Sequence, residues 1–470
     1  MPCLRSKNRG KTLSAVFTDM SRPVRSAGRL IALNALCDFQ KSGEPMTGIL
    51  SRLSTKNRLD PRDDQFVRAL VFGILRSRQY LDCIIDRFSS HPLTKMKPRT
   101  LAALRIGVYQ VLFMDRIPPS AAVNETVQAF KAGRQPKWLV RFVNGVLRSI
   151  ARERDSLLAP EHLLVNGAPV LNHPAWLVQR WEKVYGRQRT REICRINNEL
   201  PPLTLRVNTG LMQRRRFAAI LADIGRVAYG KFAETALVPV DYRGDVAGLP
   251  GYEEGLFVVQ DEAAQLAGSL VTMKKNGRYL DGCAGVGGKT THLAALLPTD
   301  ARLTAIEPEK RRYRLLGENL RRLRMNGVET VNMDLAGFAG AVGEKYDGIL
   351  LDVPCSGTGV IRRRPDIRWN RRAGDLPGYQ RRQVRLLKTA ASLVRKDGYI
   401  VYATCSLEAE ENSEVIDAFL AEHTEFFIED AREFLPSAAA QLVTAEGYFQ
   451  PTPEQGLDGF FAARLRRRAG

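Results

Sequence analysis

Cysteine is sparse in this 470-residue chain, and its seven copies fall at Cys3, Cys37, Cys83, Cys194, Cys283, Cys355 and Cys405. An odd number at scattered positions does not suggest a disulfide framework, and the lack of any C-x-x-C pair leaves a zinc site without support. Long apolar runs are missing too. None nears the roughly 18 residues of a membrane-spanning helix. The opening stretch, MPCLRSKNRGKTLSAVFTDM, has no apolar centre of a secretory signal. We read residues 1–21 as a flexible basic tail and expect a cytoplasmic protein. No long internal repeat and no low-complexity segment interrupts the chain.

Acidic residues are scarce at the front. Residues 1–150 hold 26 Lys and Arg against 10 Asp and Glu, whereas the other 320 hold 45 against 40. A basic first third on a near-neutral body points to a module that docks on a polyanion. Nucleic acid is favoured over membrane, because no basic amphipathic helix with exposed aromatics stands out. What is present in this third is helical. RLIALNALCDF, FVRALVFGILR, TLAALRIGVYQVLF and LVRFVNGVLRSI all repeat apolar residues at three- and four-residue spacing. Pro, Gly and Ser mark the breaks between them.

A linker-like stretch follows, and residues 170–260 mix a helix (PAWLVQRWEKVYG) with short strands (PLTLRVNT, GLFVVQD). Beyond 262 strands and helices alternate. RYLD, ARLTAIE, ETVNMD, DGILLD, GYIVYAT and GFFAARL read as strands with helical stretches between most of them. That alternation predicts a mainly parallel sheet covered on both faces, with ligands at the carboxyl ends of its strands.

The first of these strands ends in LDGCAGVGGKTTHL, where Gly285, Gly287 and Gly288 let backbone approach a ligand at a strand-to-helix turn. Glu307 closes the next strand, 20 residues after Gly287, where an acid hydrogen-bonds ribose hydroxyls. Asp334 ends the third strand and is placed to accept from an adenine amino group. The spacing is not that of a P-loop, and no dehydrogenase residues follow to support NAD. S-adenosylmethionine (SAM) suits a glycine turn without a full pyrophosphate fingerprint.

Two later strands run into turns that each present a cysteine followed by serine: ILLDVPCSGTG, with Asp352 and Cys355, and YIVYATCS, with Cys405. Methyl transfer to carbon 5 of a pyrimidine calls for such a set. A thiolate adding to carbon 6 makes carbon 5 reactive, a carboxyl group near ring nitrogen 3 assists, and a base removes the carbon-5 proton afterwards. Lys289 is placed to orient the carboxylate. A thiol-redox pair is the competing reading, and inert packing is another. The spacing does not rank the two thiols.

These stretches resemble the RNA 5-methylcytosine methyltransferases. LDCIIDRF, LRIGVYQVLFMDRIPPSAAVNETV and FVNGVLR resemble the NusB-type RNA-binding domain. LTLRVNT and VQDEAAQLA are similar to the pre-catalytic signatures of the family. DGCAGVGGKTTH, LLDVPCSGTGVIRRRPDIRW, YATCSLEAEEN and GFFAARL are similar to its catalytic core. The resemblance implies an all-α NusB-like domain over 22–155, a linker and small α+β subdomain over 156–260, and an α/β Rossmann-like SAM-dependent methyltransferase domain over 261–470.

It also implies that Cys283, Ala284, Gly285, Val286, Gly287, Gly288, Lys289, Glu307, Asp334 and Asp352 bind SAM. Cys405 would be the covalent nucleophile, and Cys355 would assist product release. The implied substrate is 16S ribosomal RNA, unassembled or partly assembled. The implied protein is a monomer with no metal and no membrane contact. The chain departs from the family pattern at Gly285 and Val286, where Ala or Pro and then Pro are usual, and at Glu307, where Asp is usual.

The run IRRRPDIRWNRR holds six arginines around Trp369. Arginine beside an aromatic suits phosphate pairing and base stacking in single-stranded RNA. Arg362, Arg363, Arg364, Arg368 and Trp369 are therefore the expected RNA contacts, and Arg206 in LTLRVNT joins them. A non-catalytic RNA-binding assembly or antitermination factor, a DNA methyltransferase and an enzyme acting on another RNA such as tRNA are the alternatives.

Overall fold

In a computed structural model the described residues are 26–469, except 158, 160, 161, 166 and 344. The tail expected at 1–21 lies outside them. The chain divides into two compact units, with the boundary between Val170 and Leu171.

The first unit is helical: α1 (Ser26–Ser42), α2 (Met46–Asn57), α3 (Pro61–Arg76), α4 (Arg78–Phe88), α5 (Pro98–Phe113), α6 (Pro119–Ala132) and α7 (Lys137–Glu153). Proline begins three of them, where its missing N–H costs nothing. Asp60 caps α3 by accepting the Asp63 N–H at 2.8 Å. Helix α5 is the centre of the packing, with Ala103, Leu104, Ile106 and Val108 buried. A Cβ on its Gly107 would sit 2.5 Å from Leu147, so glycine is needed for α7 to pack there. Helix α7 buries Leu139, Val143, Val146, Leu147 and Ile150 and leaves Lys137, Arg141, Arg148 and Arg152 exposed. Trp138 beside them is 66% exposed. The sequence reading found no basic amphipathic helix with an exposed aromatic; α7 is one. Its tryptophan stands just outside the apolar stripe, where periodicity alone does not separate a core position from a surface one. A two-stranded hairpin, β1 (Leu164–Val165) with β2 (Ala168–Pro169), ends the unit.

The second unit begins with α8 (Ala175–Tyr185) and α9 (Arg187–Asn197). A small antiparallel sheet follows, built from β3 (Leu205–Val207), β4 (Val227–Tyr229), β5 (Ala236–Pro239) and β6 (Phe257–Val259) in the order β4-β5-β3-β6. Helix α10 (Arg214–Ala222) packs on it through Phe217, Ala218 and Leu221.

The main sheet has seven strands. They are β7 (Arg278–Asp281), β8 (Arg302–Ile306), β9 (Val328–Val331), β10 (Tyr346–Asp352), β11 (Val394–Thr404), β12 (Phe426–Glu429) and β13 (Phe461–Arg467), ordered β12-β13-β11-β10-β7-β8-β9. The five strands from β7 to β11 pair parallel, and β12 and β13 close one edge antiparallel. Strand β12 (FFIE) was not among the sequence candidates. Helices α11 (Glu262–Ser269), α12 (Thr290–Leu296), α13 (Lys310–Arg322), α14 (Leu335–Ala341), α15 (Ile367–Asn370), α16 (Leu376–Leu393) and α17 (Ser413–Leu420) connect and cover the strands.

The period of two sorts side chains between the two faces. Leu350, Val401 and Ala403 join one apolar cluster with α11 and α12 residues. Ile349, Leu351, Ile400 and Tyr402 join the other, with α16 and α17 residues. Strand order reverses at the β7/β10 junction, so a crevice opens at the carboxyl ends there. No helix among the described residues is long and apolar enough to cross a membrane.

Candidate active site

Adjacent parallel strands carry the two cysteines to one edge. Asp352 on β10 is in register with Ala403 on β11. Cys355 follows three residues after the first, and Cys405 two after the second. Their sulfurs lie 3.2 Å apart as free thiols. The hydrogen bond to Cys405, and then burial, push the Cys355 thiol well above its ordinary range. Either sulfur can be the donor in this contact.

Lys289, at the start of α12, donates from Nζ to Asp352 Oδ2 at 2.6 Å. Its ammonium also lies 4.7 Å from the centre of the Phe460 ring. The pair stands where β7 and β10 end together. Asp281, the last residue of β7, is fully buried and accepts from Thr290 Oγ1 at 2.7 Å and the Cys283 N–H at 3.3 Å. Burial pushes its carboxyl up to about 6. Burial also raises the Cys283 thiol, and this half-buried side chain packs against the apolar cluster of Leu280 and Leu351.

The glycine loop turns tightly. Gly285 has φ +58° and Gly287 φ +92°, both in the left-handed region that favours glycine. A Cβ on Gly287 would sit 2.7 Å from Leu316, whereas one on Gly285 or Gly288 would meet nothing within 4 Å. The Ala284 N–H donates to Ile306 O at 3.0 Å, and Asn319 Nδ2 donates to Val286 O at 2.8 Å, which ties the loop to β8 and α13. Glu307 follows β8; its Oε1 accepts the Glu309 N–H at 2.8 Å. Asp334 spends Oδ1 on its own helix, accepting the Gly337 N–H at 2.7 Å as the cap of α14. Carboxylates thus follow the neighbouring strands around a loop that is open beside Gly285 and Gly288. These residues fit SAM: Glu307 and Asp334 offer acceptors to hydroxyl and amino donors, and the glycine turn lets backbone approach closely.

The expected RNA contacts divide. Arg206 is 1% exposed, and its guanidinium donates to Thr291 Oγ1 at 2.8 Å and Thr291 O at 3.3 Å. It fastens the small sheet to the first turn of α12 instead of meeting a phosphate, and burial lowers it to about 9. Arg368 is likewise 1% exposed and donates to Asn172 O, Asn197 O and Asn198 Oδ1 at 2.6–2.8 Å. Arg363 bridges Asp458 at 2.5 Å and Asp261 at 2.7 Å, and Arg362 donates to Leu200 O at 3.1 Å. Arg206 and Arg368 are internal fasteners, a correction to the sequence reading, and the half-buried Arg362 and Arg363 are committed to partners within the chain. Arg364 is exposed and Trp369 half-buried, so both remain accessible. A charged run looks the same in sequence whether its guanidinium groups face water or carbonyls.

Sequence reasoning also passed over Glu411. This carboxylate is fully buried and accepts from Ser356 and Ser406, the residues that follow each cysteine. It lies in YATCSLEAEEN, where Glu408, Glu410 and Glu411 are alike by residue type. Gly359 was passed over too. Its N–H donates to Cys405 O at 3.0 Å, and a Cβ there would sit 2.1 Å from Gly459 O.

Residues 26–152 match the NusB family, 173–241 the Methyltr_RsmF/B-like ferredoxin-like domain, and 269–466 the family described as 16S rRNA methyltransferase RsmB/F. A Bacillus subtilis (strain 168) protein named "Probable ribosomal RNA small subunit methyltransferase B" is 34% identical over 449 residues, covering 94% of this chain and 99% of its own. The "Ribosomal RNA small subunit methyltransferase B" of Escherichia coli O6:K15:H31 is 34% identical over 440 residues, covering 94% and 98%. Among solved structures, PH0851 superposes with a TM-score of 0.76 at 25% identity, covering 95% of this chain and all of that one. NSun6 from Pyrococcus horikoshii with SFG shares the fold at a TM-score of 0.55 and 20% identity, covering 63% of this chain and 98% of its own. With relatives matched over nearly its whole length, the chain belongs to the 16S rRNA methyltransferase RsmB/F family.

Proposed function

We propose that this enzyme methylates carbon 5 of a cytosine in 16S ribosomal RNA through a transient bond between Cys405 and the pyrimidine ring. The observation that carries this reading is the 3.2 Å approach of the Cys355 and Cys405 sulfurs, beside the Lys289–Asp352 pair. SAM, when bound, supplies an electrophilic methyl group. The chain's own residues make carbon 5 able to accept it. The Cys405 thiolate adds to carbon 6, and the C5=C6 electron pair moves toward carbon 5. A proton shared between Asp352 and ring nitrogen 3 draws that pair, while Lys289 holds the carboxylate in place. After methylation the carbon-5 proton leaves, C5=C6 reforms, and the C6–S pair returns to Cys405. Cys355 can pass its proton to the departing sulfur and take up the one lost from carbon 5. A methyl group enters and a proton leaves.

Binding of RNA rests on the first unit and on Arg364 and Trp369. No Asp or Glu occurs from 126 to 152, where six Lys and Arg do. Lys137, Arg141, Arg148 and Arg152 form a stripe along α7 beside Trp138, a fit for phosphates and one stacked base. The target base must leave its stack to reach a thiol at the bottom of a crevice, so a loop or an opened junction in naked or partly assembled RNA is the expected substrate. The test is tritium transfer from methyl-labelled SAM to 16S ribosomal RNA. Cys405→Ala abolishes transfer on this reading, and a fully active Cys405→Ala enzyme overturns it.

A further inference from the structure

We propose that Glu411 is a positioning residue that sets the spacing of the two thiols by binding both cysteine-bearing turns with one carboxylate. The proposal rests on the reading of Cys355 and Cys405 as the reacting pair. The Ser356 N–H donates to Glu411 Oε1 at 2.8 Å, and the Ser356 hydroxyl donates to Oε2. The Ser406 hydroxyl donates to the same Oε2 at 2.6 Å, and Gln383 Nε2 donates to Oε1 at 3.0 Å while also reaching Pro354 O at 3.1 Å. Each serine follows a cysteine directly, so the carboxylate grips the chain one residue beyond each sulfur, through N–H and hydroxyl at Ser356 and through the hydroxyl at Ser406. The two hydroxyls also meet each other at 3.1 Å.

Glu411 is itself anchored. Its carbonyl oxygen accepts the Tyr402 hydroxyl at 2.6 Å, from near the carboxyl end of β11. The next residue, Asn412, donates to Ser406 O at 3.0 Å and accepts from Thr404 Oγ1 at 2.6 Å, so the segment after Cys405 folds back on its own strand end. No ion pair neutralises Glu411 among the described residues; hydrogen-bond donors alone surround the carboxylate. Its reach is therefore the property that matters. Glutamine has the same reach, and the serine hydroxyls can turn to suit an amide. Aspartate keeps the charge but is one methylene short of two turns.

The test compares Glu411→Gln with Glu411→Asp in two assays. In the first, methylation of 16S ribosomal RNA, Glu411→Gln stays within about threefold of the parent. Glu411→Asp loses about 100-fold in kcat, the loss typical of a displacement near 1 Å, with the KM for SAM unchanged. The second assay needs neither RNA nor SAM. Diamide takes two hydrogens from the thiol pair and leaves a Cys355–Cys405 disulfide, read by peptide mass as the loss of two hydrogens. Its rate drops at least tenfold in Glu411→Asp and in the Ser356→Ala/Ser406→Ala double variant, which keeps Glu411 intact, but not in Glu411→Gln. A merely structural carboxylate would change unfolding without changing this rate in folded protein. Parent-like oxidation of both Glu411→Asp and the serine variant overturns the proposal, as does a Glu411→Gln enzyme as impaired as Glu411→Asp. Failure of methylation in every protein, with the oxidation pattern as described, overturns the functional reading and leaves the positioning role standing.

Discussion

Replacing Gly359 by alanine tests whether activity depends on where the Cys405 turn sits. Gly359 and Gly459 cross with their backbones in contact: the Gly459 N–H donates to Gly359 O at 2.9 Å, and the Gly359 N–H donates to Cys405 O at 3.0 Å. A Cβ at 359 would lie 2.1 Å from Gly459 O and 3.0 Å from Cys405 O. Carbon and carbonyl oxygen meet at about 3.3 Å or more, so the two backbones must part by roughly 1.2 Å. No side-chain rotation relieves the clash, because the obstructing atoms are backbone. Overpacking of this kind costs about 1–3 kcal/mol of stability. The same shift, passed to the carbonyl of Cys405, is expected to lower kcat about 100-fold. SAM binding, built on β7, β8 and the glycine loop, is expected to stay near the parent value. The assay pairs single-turnover methylation with equilibrium SAM binding on protein shown to be folded. A folded Gly359→Ala enzyme within twofold of the parent rate refutes the reasoning.

Two further perturbations follow from other parts of the molecule. Asp281 titrates at about 6 in the folded state, above the ordinary 3.9 or so of an exposed aspartate, so the stability it lends is complete below pH 4 and is lost as pH rises to 6. Asp281→Asn should remove that slope, gaining on the order of 3 kcal/mol relative to the parent between pH 4 and pH 7 in urea unfolding; parallel stability profiles would contradict it. On α7, Arg141→Ala/Arg148→Ala should weaken single-stranded RNA binding and flatten its log–log salt dependence by about 0.7 for each phosphate that the variant no longer neutralises. Trp138→Ala should cost about 1–3 kcal/mol. Unchanged RNA affinity, or binding of anionic vesicles in place of RNA, would set this face aside.

How much could be read before any coordinates depended on the kind of signal. Alternation of strand and helix beyond residue 262 placed β7 to β11 and β13, because a parallel sheet buried on both faces leaves near-continuous apolar runs such as DGILLD and GYIVYAT. FFIE at β12 was missed: four residues at a sheet edge, flanked by acids, carry too little pattern. The meeting of Cys355 and Cys405 was legible because both end strands of one sheet, and the Lys289–Asp352 pair because both flank the same crevice. The arginines were not legible. Arg206, Arg363 and Arg368 satisfy buried carbonyls and carboxylates, and a partner at a separation of 85 to 196 residues leaves no local trace. Glu411 escaped for the same reason: Glu408 and Glu411 are both buried, and which of them reaches the two serines is decided by the turn that ends at Asn412 and not by composition.

The covalent step can be measured directly. Cys355→Ala, incubated with SAM and 16S ribosomal RNA, should complete methyl transfer and then fail to release product. It should therefore accumulate a protein–RNA complex that survives denaturing gels, with the nucleotide attached by mass spectrometry to the peptide carrying Cys405. Wild-type turnover by that variant, with no such complex or with the nucleotide on any other residue, would contradict the account.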